Sequence, residues 1–105
     1  MPLVEHQGKI FPVTDEGFLT DFTLWGPEWV DHVRLLEDLD ELTEDHWTVM
    51  EALQAYHREN GLAPMVRILS QVTGFKLKYI YELFPSGPGK GACKMAGLDK
   101  PEGCV

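Results

Sequence analysis

Apolar positions in this chain fall into short groups with changing spacing, which predicts a small β element followed by several helices. Near the N-terminus, apolar runs at 3–4 and 10–13 flank Gln7-Gly8, a hairpin turn, and Asp15-Glu16-Gly17 supplies a second turn. Two or three such strands are marginal alone and must lean on helices. The first helix is expected from Pro27 to about Leu36, since proline suits the first helical position, where its missing N–H costs nothing. Trp29, Val30, Val33 and Leu36 make its apolar stripe. The second helix has the clearest start. Thr43 caps it, Glu44 and Asp45 complement the positive end of the dipole, and Leu42 is placed to pack against Trp47. Trp47, Met50 and Leu53, with Tyr56 at the margin, are expected on its buried side until Asn60-Gly61.

Pro64 starts a third predicted helix, with Met65, Ile68, Leu69 and Val72 at one-turn spacing, and T73-G-F75 breaks it. A fourth, Lys76 to Phe84, turns Leu77, Ile80, Tyr81 and Phe84 inward and stops at Pro85. This succession outlines a helix-turn-helix, so a DNA-binding regulator is a rival reading of residues 64–84. The stretch S86-G-P-G-K-G-A-C-K-M-A-G97 reads as a fifth helix, with Ser86 as cap, Pro88 in the first turn and Gly97 as the stop. Each of its internal glycines costs about 0.8–1 kcal/mol relative to alanine. Such a helix needs tertiary support, and its glycines suit a site that another backbone or a partner approaches closely. It matches neither a phosphate-binding loop nor a dinucleotide fingerprint.

Composition adds bounds. The 105 residues suit one domain, and 44% hydrophobic content with three tryptophans argues for a folded chain. No stretch resembles a signal peptide or approaches a membrane span, so a cytoplasmic protein is expected, where structural disulfides are uncommon. The net charge of −8 is uneven: residues 1–60 carry −11 and residues 61–105 carry +3. The acidic part disfavours general nucleic-acid binding, and only Arg67, Lys76 and Lys78 give the helix-turn-helix outline positive charge. DNA is therefore a weak candidate as primary partner. His6, His32, His46 and His57 are expected at the surface or its boundary, and no pattern among them suits a metal.

The candidate chemistry lies in the last fifteen residues, which hold both cysteines, Cys93 and the next-to-last residue Cys104. From Gly97 to Val105 the chain has few large side chains and reads as a mobile arm, able to reach roughly 30 Å if extended. Folded back, it can return Cys104 to Cys93 if their Cα atoms come within about 7 Å. Cys104 is hard to explain as core and is the better candidate nucleophile. Cys93 fits equally a buried small residue and a second, resolving thiol. Lys90, Lys94 and Lys100 surround the arm, and cations there favour a thiolate or attract a sulfur oxyanion. Arg67 suits either a contact to the tail or a local ion pair.

These residues carry a family resemblance. D15-E-G-F-L19, W25-G-P-E-W29, L42-T-E-D-H-W47, G61-L-A-P-M-V-R-I-L69, Y81-E-L-F-P-S-G-P-G-K-G-A-C93 and K100-P-E-G-C-V105 resemble the DsrC family, which includes the TusE sulfur-relay proteins of tRNA thiolation. The resemblance spans essentially the whole chain. It implies an α/β fold: a small N-terminal β element on a compact helical body, with 97–105 as a redox arm. It also implies that the penultimate cysteine is Cys104 and that the second redox cysteine is Cys93, which TusE-like members lack. The implied role is a sulfur-carrying co-substrate of dissimilatory sulfite reductase, with a trisulfide between Cys104 and Cys93 that a membrane-bound complex reduces. The sirohaem and iron–sulfur clusters belong to the catalytic subunits of that reductase, and the carrier needs no cofactor of its own.

Overall fold

The computed structural model describes residues 2–99. Strands β1 (Leu3–His6) and β2 (Lys9–Pro12) pair antiparallel, with Leu3 opposite Pro12 and His6 opposite Lys9 across the Gln7-Gly8 turn. The pleat sends Phe11 inward and leaves Ile10 outside. Phe11 meets the indole of Trp29 edge-on, ring centroids 5.3 Å apart, which gives the short hairpin the helical support it needs. After the second turn Leu19 bridges back to Val13, and Phe18 and Leu19 enter the core. A 3₁₀ turn at Phe22–Leu24, held by the Asp21 carboxylate accepting from the Thr23 N–H, then leads into the helices.

Helix α1 spans Pro27–Leu36, α2 Glu44–Asn60, α3 Val66–Thr73 and α4 Leu77–Leu83. A wider π-helical segment, α5, spans Pro88–Cys93. The architecture is a small β hairpin on a helical body, and α2 packs against α3, α4 and α5. Trp29, Val33, Val49, Met50, Leu53, Leu69, Ile80, Phe84 and Met95 join Phe11, Phe18 and Leu19 in one apolar core.

The boundaries of α1 and α2 match those expected, but some faces do not. Helix α1 buries Trp29, Val30 and Val33, whereas Leu36, in its last turn, is 58% exposed. Helix α2 buries Met50 and Leu53 as expected, adds His46 and Val49, and leaves Trp47 at the rim. The cause is His46, which is buried rather than at the surface. Its Nδ1 accepts from the Thr43 N–H at 3.0 Å and its Nε2–H donates to the Leu83 carbonyl at 2.8 Å. One imidazole thus closes the start of α2 and ties it to the end of α4.

Helix α3 starts at Val66, two residues after Pro64, which is itself packed inside. Met65 and Val72 are exposed, so its buried contribution narrows to Leu69. In α4, Leu77 and Tyr81 are also exposed, and Ile80 and Leu83 face inward, followed by Phe84. Spacing identified residues that share a face. It did not identify which side of a two-turn helix meets the body.

Candidate functional site at the C-terminal helix end

The glycine-rich segment before Cys93 forms α5 with Pro88, Gly89, Gly91, Ala92 and Cys93 buried. Gly87, not Ser86, precedes it as the cap. Ser86 instead turns to α1, donating from its backbone N–H and its hydroxyl to the Glu37 carboxylate at 3.2 and 2.7 Å. That carboxylate lies against α5: a methyl added at Gly91 would stand 2.7 Å from Glu37 Oε1 and 3.1 Å from Phe84 Cβ. The close approach is therefore made by the Glu37 and Phe84 side chains rather than by another backbone.

The helix end beyond Cys93 is fully bonded. An α-helix leaves its last four carbonyls without intrahelical partners, and here those of residues 93–96 are each satisfied. Gly97, at φ +80°, reverses the chain so that Leu98 N–H donates to Cys93 O at 3.0 Å and Gly97 N–H to Lys94 O at 3.1 Å, a Schellman pattern. Three side chains complete the set. Trp29 Nε1–H donates to Lys94 O at 2.7 Å, Trp25 Nε1–H to Met95 O at 2.9 Å and Gln54 Nε2–H to Ala96 O at 2.9 Å. A methyl on Gly97 would stand 2.5 Å from Trp25 Cδ1. Gly97 and Leu98, placed by sequence at the start of the arm, are buried in this arrangement. A groove of about 220 Å³ opens beside Asp99, lined by Leu19, Phe22, Gln54, His57, Arg58 and Leu98.

Cys93 is 2% exposed and packed in the core. Lys94, beside it in sequence, carries its ammonium over the Phe18 ring, 5.1 Å from the centroid. That charge also bears on His32, whose pKa is held below its ordinary value chiefly by burial, then by His6 and Lys94. Asp31 anchors the same corner, accepting from His6 Nε2 at 2.9 Å and from Arg34, and its carboxyl pKa is lowered by these two bonds. Lys90 is exposed on α5 and Arg67 on α3. Cys104 and Lys100 lie outside the described residues. Sequence reasoning missed Trp25, Trp29 and Gln54 as a group, though two tryptophans four apart offered a signal: a buried indole N–H must find an acceptor.

Among the described residues, no group of three or more His, Cys, Asp or Glu side chains could hold a metal. The site is instead a thiol set into a helix whose end is locked by side chains from three other parts of the chain. That is the architecture of a small helical domain carrying a β hairpin and a buried thiol just before its last described helix end. A family model described as "DsrC like protein" matches residues 5–105, and the chain belongs to this family. It is 58% identical over 105 residues to "Sulfite reductase, dissimilatory-type subunit gamma" of Nitratidesulfovibrio vulgaris, covering all of both chains. To "Sulfurtransferase TusE" of Yersinia pestis it is 34% identical over 110 residues, covering 98% of this chain and all of that one. Among solved structures, it resembles a chain in the crystal structure of dissimilatory sulfite reductase I, with a TM-score of 0.91, 57% identity, and 99% and 100% of the two chains covered.

Proposed function

We propose that this protein is a sulfur-carrying co-substrate of a dissimilatory sulfite reductase, with Cys104 as the delivering thiol and Cys93 as the resolving one. The observation that carries the reading is the full-length likeness to the reductase's gamma subunit, at 58% identity. The likeness to TusE is weaker, at 34%.

In this reading the catalytic subunits hold the metal centres and supply electrons, and the carrier supplies two thiols. Sulfite, two thiols, two electrons and four protons give one trisulfide and three waters. Four more electrons and four protons return both thiols and release hydrogen sulfide, a step assigned to a membrane-bound complex. Cys104, near the chain end, enters the reductase and takes the sulfur. Cys93, held in α5, then attacks the sulfur carried on Cys104 as Cys–S–S–OH, closing the trisulfide and expelling the last sulfite oxygen as water. Its burial protects it from competing thiols and oxidants until Cys104 brings the sulfur to it. Lys90 and Arg67, both exposed, are assigned to meet the anionic substrate or an acidic partner surface, and Lys94 and Lys100 join them on the strength of their sequence positions. Among the described residues no helix is long and apolar enough to cross a membrane.

The test is single turnover with catalytic reductase, sulfite and an electron donor. C104A should fold and accept no sulfur. C93A should accept sulfur on Cys104 and give a persulfide or intermolecular adduct instead of an internal bond. Internal product in C104A, or a full cycle in C93A at the wild-type rate, would refute the division of labour.

A further inference from the structure

Trp47 shares the apolar spacing of α2 but stands 36% exposed at the start of that helix, and its indole N–H donates to no described residue. It lines an open recess of about 290 Å³ between α1 and α2, with Pro27, Val30 and Leu42 as the other apolar lining. Asp40 and Glu41 edge the recess; both are exposed, and their carboxylates bond to no described residue. Arg34 lies there too, but its charge is already engaged. Its Nε and Nη2 donate to Asp31 Oδ1 at 3.0 and 2.9 Å, and its Nη1 donates to the carbonyls of Leu39 at 2.7 Å and Asp40 at 3.2 Å. Those last two bonds fix the backbone that carries Asp40 and Glu41, so the two carboxylates are placed in advance. No lysine or arginine lies between Arg34 and Arg58 to neutralise them locally. An aromatic face, an apolar floor and two carboxylates unpaired among the described residues thus meet in one place.

We propose that this recess is a docking site for an arginine side chain that a protein partner projects from an apolar stretch. A guanidinium stacks on an indole and its planar fork pairs with carboxylates, which a compact ammonium does less well. Tryptophan set among apolar contacts is also where interfaces concentrate their energy. The recess falls just below the range of about 300–1,000 Å³ usual for small-molecule pockets, which suits one inserted side chain. Its negative charge disfavours nucleic acid and anionic lipid alike. That charge is opposite in sign to the exposed Lys90 and Arg67, so this face meets a different surface from theirs.

The experiment titrates the full-length, nitrogen-15-labelled protein with the peptide acetyl-Ala-Leu-Arg-Leu-Ala-amide, and with the same peptide carrying neutral citrulline in place of arginine. The arginine peptide should shift the Trp47 indole N–H and the Leu42 amide and saturate at millimolar concentration. The citrulline peptide should bind at least about threefold more weakly. Asp40→Asn/Glu41→Gln should lower the affinity about threefold and flatten its salt dependence. Trp47→Leu, which keeps an apolar side chain, should lower it about threefold as read at Leu42. Glu51→Gln/Glu59→Gln makes the same change in net charge at exposed positions that do not line the recess, and should leave the affinity within about 1.5-fold. Equal losses in the two neutralised pairs would reduce the effect to general attraction by an acidic protein and overturn the proposal. So would equal binding of the two peptides, an undiminished affinity in Trp47→Leu, or no shift of Trp47 and Leu42 at about 20 mM peptide.

Discussion

Replacing Gly91 with alanine tests whether the glycine-rich helix is shaped by its neighbours. Two atoms oppose the new methyl, and they differ in kind. Glu37 Oε1, at 2.7 Å, ends a flexible side chain that can swing away. In doing so it weakens its partly exposed hydrogen bonds to Ser86, at a cost of about 0.5–1 kcal/mol. Phe84 Cβ, at 3.1 Å, belongs to a side chain with no exposed surface, and it moves only with its backbone. Overpacking of that kind costs about 1–3 kcal/mol. Against both stands the helix preference of alanine over glycine, about 1 kcal/mol. The balance is a destabilisation of about 1–2 kcal/mol. Urea unfolding followed by tryptophan fluorescence gives this directly, provided the m-value is unchanged. In a Glu37→Ala background the penalty should shrink, because one of the two contacts is gone. A G91A protein as stable as wild type, or more stable, would refute the close-packing argument.

Two other substitutions probe the body and the docking side. His46→Leu leaves the Thr43 N–H and the buried Leu83 carbonyl without partners and should cost about 2–4 kcal/mol in the same assay. A loss below about 1 kcal/mol would contradict that tether. Lys90→Gln combined with Arg67→Gln, both exposed positions, should weaken binding to the catalytic subunits more at low salt than at high salt. Equal affinities at both ionic strengths would remove these residues from the docking side.

Much of this fold was legible in the sequence because local chemistry set it. Gln7-Gly8, Pro27, Thr43 and Gly74 mark turns and helix ends whose backbone needs are local, and each marks one in the structure. The faces of the short helices were not legible, since Met65, Val72, Leu77 and Tyr81 are apolar yet exposed, and only the packing of the whole body decides that. His46 shows the same limit from the other side. A histidine one residue before a tryptophan reads as polar surface, but a carbonyl thirty-seven residues away makes it core. At the site, proximity in sequence suggested lysines around Cys93, and the structure sends the Lys94 ammonium to Phe18 instead. The helix-end lock was out of reach because its three donors lie forty-two to seventy residues from their acceptors.

In the proposed function, two thiols of one chain jointly hold a sulfur atom derived from sulfite. Intact mass of the wild-type protein after a single turnover with sulfite, catalytic reductase and an electron donor tests it most directly. An internal trisulfide adds one sulfur and removes two hydrogens, a gain of about 30 Da over the dithiol form. Peptide mapping should place that gain on a cross-link between Cys93 and Cys104. A protein that drives turnover yet stays at its dithiol mass, or that carries the sulfur as an uncrosslinked persulfide with Cys93 untouched, would overturn the two-thiol reading.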